Sequence, residues 1–280
     1  MKKLVLLALV VLVSPLAVAQ VQTPQPSPAA TLKQVVGLTE VQIDYSRPSK
    51  CDREIMGGLV PYGELWRTGA NKNTLIRFSD DVKVGGQSLA AGTYAVFTRP
   101  GASMWEVFFY TDTENWGTPQ EWDADKVAAT VEAKVKQHPE PMESFEIWIS
   151  DLHNNGAQLN IGWENQWVSV ALEVPTREKA MASIEKTLGG EPKANDYYSA
   201  ASYYLQEKME LEKAAQWIAK AVEMRSDAYW YHRQHALILH AIGQNSEAIA
   251  AAQTSKDLAE KAGNSSYVKM NEASIAEWSK

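Results

Sequence analysis

The chain has 280 residues, with 27 lysines and arginines against 34 aspartates and glutamates, so its formal net charge is −7. An acidic chain lacks the basic surface that nucleic acid requires, which excludes nucleic acid as a partner. The single cysteine, Cys51, excludes an internal disulfide, so packing must stabilise the fold.

Residues 1–19 have the pattern of a secretory signal peptide. Lys2 and Lys3 supply the positive start, Leu4–Val13 forms the apolar segment, and small residues lead to a cleavage site after Ala19. The apolar run is short for a membrane span, although an uncleaved anchor is the alternative. We therefore expect a periplasmic or secreted protein with no membrane span after signal removal. Losing the two lysines leaves a net charge of about −9.

Residues 20–31 are rich in proline and contain no large aromatic side chain. This composition favours an extended, flexible linker that does not join a core. We expect folded structure to begin near Leu32.

Residues 32–175 contain short runs in which apolar and polar residues alternate, the pattern of half-buried strands. Val41, Ile43 and Tyr45 show this alternation clearly. Roughly ten such runs, with no long helical segment between them, predict an antiparallel β-sandwich or barrel. Beyond Tyr45, the expected strands are 74–79, 82–84, 93–99, 105–110, 127–136, 144–150, 158–164 and 167–174.

Residues 176–280 change to the apolar period of helices and are rich in Ala, Glu, Lys and Leu. Residues 198–222 align with 232–256 at an offset of 34, which pairs small residues such as Ala214 and Ala248. This period resembles that of tetratricopeptide repeats (TPR), although the proline that ends such repeats is missing. The sequence predicts an all-α, TPR-like helical-repeat domain whose surface suits a protein or peptide partner. An ordinary helical tail is the alternative.

The segment between Tyr45 and Thr74 departs from the strand pattern and concentrates arginines. A guanidinium matches the geometry of a carboxylate or phosphate, while a nearby indole and amide offer a wall and an orienting group for a small anion or glycan. In the alternative interpretation, the arginines pair with acidic residues such as Asp44, Glu54, Glu64 or Glu164 and only hold the loop in place. The five candidate ligand-binding residues are Arg47, Arg53, Trp66, Arg67 and Asn71.

Several short motifs in the β region resemble one known family. They are YSRP at 45–48, VPYG at 60–63, WRTGAN at 66–71, AGTY at 91–94, WG at 116–117 and WE at 163–164. Together they are similar to the signature of DUF2911, a family of uncharacterised exported bacterial proteins. The resemblance implies export and assigns no activity. Cys51 lies in the spacer between two of these motifs, and its role stays open.

No familiar catalytic motif marks the chain. His232 and His235 share a helical face, but a metal would need a further ligand from elsewhere, so we expect neither metal nor cofactor. The favoured hypothesis is a binding or scaffolding module. The alternative is a hydrolase of envelope or carbohydrate substrates that uses the carboxylate of Glu64 or Glu164, with Arg67 stabilising developing negative charge.

Overall fold

The computed structural model describes residues 23–280, and the predicted signal peptide lies outside the described residues. The described chain divides after Val174 into two compact units. The first unit consists of strands and the second of helices, which confirms the predicted β plus α organisation. In residues 23–280, no helix is both long enough and apolar enough to cross a membrane.

In the described part of the first unit, ten strands form two antiparallel sheets. The strands are β1 (Ala29–Val36), β2 (Thr39–Ser46), β3 (Thr74–Phe78), β4 (Val82–Val84), β5 (Gln87–Leu89), β6 (Gly92–Arg99), β7 (Met104–Tyr110), β8 (Val127–Lys134), β9 (Lys136–His153) and β10 (Gly156–Glu173). One sheet has the order β1-β2-β3-β6-β7-β8 and the other β5-β4-β10-β9. Apolar side chains from both sheets meet in one core, and the described strands do not close into a barrel.

Alternation explains most of these strands, because every second side chain of β2, including Val41 and Ile43, enters the core. Strand β10 differs from the prediction of two separate strands at 158–164 and 167–174. It continues through both, with register shifts on either side of Glu164, whose φ is +54°. A β-bulge absorbs the change in alternation while pairing with β9 continues.

The predicted linker at 20–31 differs from the structure at its C-terminal end. Strand β1 begins at Ala29 and pairs with β2. The backbone carbonyls of Ser27 and Pro28 accept hydrogen bonds from Asn71 Nδ2 (3.2 Å) and the Arg47 N–H (2.9 Å). The chain therefore becomes part of the β unit at Ser27, because these polar contacts compensate for its poor strand composition.

Six helices form the described second unit, as the change of apolar period predicts. They are α1 (Thr176–Leu188), α2 (Ala194–Gln206), α3 (Leu211–Met224), α4 (Tyr229–Ala241), α5 (Asn245–Lys261) and α6 (Ser265–Trp278). Consecutive helices contact each other, and α4 also contacts α2 and α6. Three pairs at the offset of 34 are fully buried, which allows close approach of the helices: Ala214 and Ala248, Ile218 and Ala252, Ala221 and Ser255. Their assignment as tetratricopeptide-like repeats stays a prediction.

Candidate functional site

The connection between β2 and β3, residues 47–73, contains no helix or named strand. It is fastened to both sheets by isolated backbone bridges. Ser49 pairs with Ser144 in β9, and Trp66 pairs with Thr98 in β6. Since β9 and β6 belong to different sheets, this connection, which we call the arginine loop, spans one border of the sandwich.

The backbone of the arginine loop adopts several unfavourable conformations. Cys51, Asp52, Thr68 and Asn71 all have φ between +48° and +60°. Such a conformation costs about 1–3 kcal/mol in a residue other than glycine and persists only where surrounding contacts enforce it. At Thr68 those contacts include a 3.1 Å hydrogen bond from its hydroxyl to that of Thr98. The loop is therefore held in a defined shape.

Aromatic rings form a rigid floor beneath the arginine loop. Trp66 stacks on Trp163, with ring centroids 6.1 Å apart and an interplanar angle of 17°. Phe145 meets Trp66 edge-on at 5.2 Å and is fully buried. The indole N–H groups of Trp66 and Trp163 donate to the carbonyls of Gly69 and Glu143, each at 3.2 Å. These rings thus have both their packing and their hydrogen bonds satisfied.

Above this floor lies an open cavity of about 390 Å³. Its wall includes Arg53, Trp66 and Arg67 from the loop, together with Trp163 from β10. Among residues 23–280, no aspartate or glutamate lines it. The cavity therefore carries two positive charges in a protein that is acidic overall.

Both cavity arginines are oriented by neutral groups. Arg53 donates from Nε to the carbonyl of Lys50 (2.9 Å) and from Nη2 to that of Ser49 (2.6 Å). Arg67 donates from Nη1 to the carbonyl of Asn71 (3.0 Å). Within the described chain, neither guanidinium has a carboxylate within ion-pair distance. Because a guanidinium has five N–H donors, each arginine retains donors for a ligand.

Arg47 and Asn71 have structural contacts instead and do not line the cavity. Arg47 donates from Nε to the Phe145 carbonyl (3.1 Å), and its Nη2 lies 3.6 Å from Glu146 Oε2. Asn71 donates to Ser27, as described above, and to the Ser46 hydroxyl (3.4 Å). Of the five candidates, the structure brings Arg53, Trp66 and Arg67 together and leaves Arg47 and Asn71 outside.

The candidate catalytic carboxylates also lie outside the cavity. Glu164 Oε2 accepts the backbone N–H groups of Ile55 and Met56, both at 3.3 Å, and Oε1 lies 3.9 Å from Lys50 Nζ. Glu164 therefore anchors the arginine loop to the bulge of β10. Glu64 is exposed and does not line the cavity. Among the described residues, no pair of carboxylates lines the cavity beside Arg67.

Sequence reasoning did not identify Trp163 or Cys51 as parts of this cavity. Trp163 belongs to the Trp-Glu motif at 163–164. It contacts Trp66 of the arginine loop because of the position of β10 in the sheet, which the sequence does not reveal. Cys51 is exposed, and its N–H donates to Glu143 Oε1 at 3.0 Å. Cys51 lines the same cavity as Arg53 and Arg67, and it lies in a turn where its φ is +48°.

The histidines do not assemble a second centre. His232 Nε2 lies 2.9 Å from the carbonyl of Ser226. Burial, and secondarily the neighbouring His232, lower the pKa of His235 below its usual value. In residues 23–280, no three histidine, cysteine, aspartate or glutamate side chains are grouped to hold a metal ion.

A family model described as "Protein of unknown function (DUF2911)" matches residues 27–172, more than half of the chain. The match includes the whole arginine loop and all of β10 except its last residue, Glu173, and it ends before α1. Searches among curated proteins and among solved structures found no match to this chain.

Proposed function

This chain belongs to the DUF2911 family, and because the family's description names no activity, we propose a function from the cavity geometry. The protein binds a small anion, a carboxylate or phosphate joined to an apolar or sugar group, and does not transform it. The observation that carries this proposal is the pair Arg53 and Arg67, which line one cavity that no acidic residue lines.

Charge supports an anionic ligand. Arg67 is half-buried and Arg53 is exposed, and both line the same open cavity, so their two positive charges attract an anion there. The remaining N–H donors of Arg53 and Arg67 match the oxygens of a carboxylate or phosphate. Their carbonyl partners hold both side chains in place without neutralising them.

The rest of the wall favours a ligand with an apolar portion. Trp66, Trp163, Leu59 and Val60 contribute apolar surface, and the volume falls in the range of small-molecule sites. Indole faces stack with aromatic rings and with the apolar faces of sugars. A bare inorganic anion would leave this surface unused.

Binding is favoured over catalysis because the cavity lacks an acid–base pair. Ser49 and Cys51 contribute a hydroxyl and a thiol, but no histidine or carboxylate among the described residues lines the cavity beside them. Nucleophilic catalysis needs such a base. The hydrolase alternative has no observation in its favour, since Glu164 is engaged by backbone N–H groups.

For the helical unit, the proposed role is recognition of a protein or peptide partner by a TPR-like surface. An open cleft of about 390 Å³ between α1, α2 and α3 supports it. Met181, Ile184 and Leu188 line one side, and Tyr204 and Trp217 contribute aromatic surface. For both roles the proposed location is the periplasm or outside the cell, in accord with the signal-peptide pattern of residues 1–19.

Thermal-shift and calorimetric titrations of the purified protein with acetate, phosphate, benzoate and glucuronate test the anion site. Arg67→Met and Arg53→Met should each weaken binding at least about tenfold, because each removes charged donors. Arg47→Met is the matched control, since it removes the same charge outside the cavity. Equal losses in the Arg47 and Arg67 variants, or no binding of any anion to the native protein, would refute the proposal.

A further inference from the structure

Trp116, in the loop between β7 and β8, is the most exposed of the tryptophans. Its side chain is 76 % exposed, whereas large aromatic residues are usually well buried. The same loop contains Trp122, which packs at 4.6 Å on Tyr110 and at 5.3 Å on Phe108. The loop thus packs one of its two indoles, half-buried, on the sheet and leaves the other in solvent.

The residue after Trp116 lies against a cavity arginine. Gly117 has φ +94°, and a Cβ built on it would lie 3.2 Å from Arg67 Nη1 and 3.6 Å from Arg67 Cζ. Glycine therefore lets the backbone approach the guanidinium closely, in a conformation that other residues rarely adopt. This contact places Trp116 next to the group that we propose to hold the anion.

On the other side of Trp116, an exposed ion pair connects the same loop to the arginine loop. Glu114 Oε2 lies 3.9 Å from Lys72 Nζ, in the segment that follows Arg67 and Asn71. The base of the loop is held by Lys126 Nζ, which donates to Asp112 Oδ2 at 3.0 Å. Gly117, on one side of Trp116, thus lies against Arg67, and Glu114 and Asp112, on the other side, pair with lysines, while Trp116 itself remains exposed.

We infer that Trp116, which does not itself line the cavity but whose neighbour Gly117 lies against Arg67, extends the wall of the anion site on that side, and that the ligand is a carboxylate borne on a ring. The inference rests on the proposed function and deepens it. Arg67 holds the carboxylate, and the adjacent indole stacks on the ring face. An aryl carboxylate and an acidic sugar share this chemistry, because each presents a flat, largely apolar face beside its charge.

Titration of Trp116→Ala with benzoate, glucuronate and acetate tests the inference on the whole purified protein. Affinity for benzoate, glucuronate or both should fall at least about tenfold, while affinity for acetate, which has no ring, stays unchanged, since Arg67 is intact. Whichever ring carboxylate loses more affinity identifies the aryl or sugar class. Trp116→Phe should restore benzoate binding. Leu152→Ala, which removes another exposed apolar side chain, should change none of the affinities.

Acrylamide quenching of tryptophan fluorescence supplies an independent readout. Saturating ring carboxylate should protect the native protein from quenching, and the protection should be smaller in Trp116→Phe, in which only the indoles of Trp66 and Trp163 remain at the site. If ring carboxylates bind through Arg67 but Trp116→Ala binds all three anions normally, the inference is overturned and the proposed function stands. If no anion binds, or if Arg67→Met has no effect, the proposed function itself fails.

Discussion

The arginine loop and the helical unit differ in the groups that hold their arginine side chains. Arg53 and Arg67 are held by backbone carbonyls in a cavity that no acidic residue lines. In the helical unit, Arg233 donates to Asn271 Oδ1 and the Ser274 hydroxyl, and burial lowers its pKa. Arg233, whose guanidinium is hydrogen-bonded between helices, stabilises helix packing. Arg53 and Arg67 line an open cavity that no described acidic residue lines, which indicates a binding site.

Phe145→Ala should have the largest effect, because it damages both the β core and the cavity floor. Phe145 is fully buried and packs edge-on against Trp66. Removing such a side chain costs about 3–5 kcal/mol. Urea denaturation should show this loss in the free energy of unfolding, together with lost anion binding. Full anion affinity in the folded variant would show that anion binding does not depend on the aromatic floor.

Ile218→Ala should destabilise the helical unit without affecting the cavity. Ile218 is fully buried in the core of that unit, so the substitution costs about 2–5 kcal/mol. We expect a loss of helical far-ultraviolet signal at lower urea, with unchanged benzoate affinity under native conditions. Weaker benzoate binding by the folded variant would contradict the assignment of the site to the β unit alone.

The combined Arg53→Met and Arg67→Met variant should lose anion binding while remaining folded. Each arginine contributes hydrogen bonds to a charged partner, worth about 1.5–3 kcal/mol. Calorimetry should detect no benzoate binding, and the melting temperature should fall less than in Phe145→Ala. An unfolded double variant would mean that these arginines serve the loop's structure, as Arg47 does.

The smallest expected effect is a difference in pH response between the two regions. Because burial lowers the pKa of His235, the unfolded chain binds a proton more readily than the native one. The stability contributed by neutral His235 is complete above its unfolded pKa of about 6.5 and is lost as pH falls through the lower folded value. Urea midpoints of the helical signal should decline accordingly, and less so in His235→Leu.

Benzoate affinity should stay constant over the same pH range, since arginines and a benzoate carboxylate keep their charges there. Calorimetric titrations at several pH values between about 5.5 and 7.5 measure it. A decline that parallels the helical signal would contradict an arginine-based site.

The sequence predicted the strands and helices better than the contacts between side chains that are far apart in the chain. The strand alternation at Val41 and Ile43 and the helical burial of Ala214 and Ala248 depend on local periodicity, which the structure reproduces. The partner of Arg47 is Glu146, on a strand far away in the chain. The acids considered from the sequence were Asp44, Glu54, Glu64 and Glu164. Glu146 was missed because sheet register, which brings β9 beside the loop, is not visible in spacing.

The same limit explains the division of the five candidate ligand residues. The composition of the arginine loop indicated a site, but positive φ values at Thr68 and Asn71 decide which side chains face the cavity. Such conformations arise from contacts across the fold and are not encoded in residue type outside glycine. The bulge at Glu164 is a further example, since it turned a candidate catalytic carboxylate into a backbone anchor.

The most direct test of the central claim is a crystal structure with 4-bromobenzoate, located by the anomalous signal of bromine. The proposed function predicts a carboxylate bonded to Arg53 and Arg67, with the brominated ring beside Trp66, and the further inference adds a contact of that ring with Trp116. Bromine found only beside Arg47 or only in the helical cleft would contradict it.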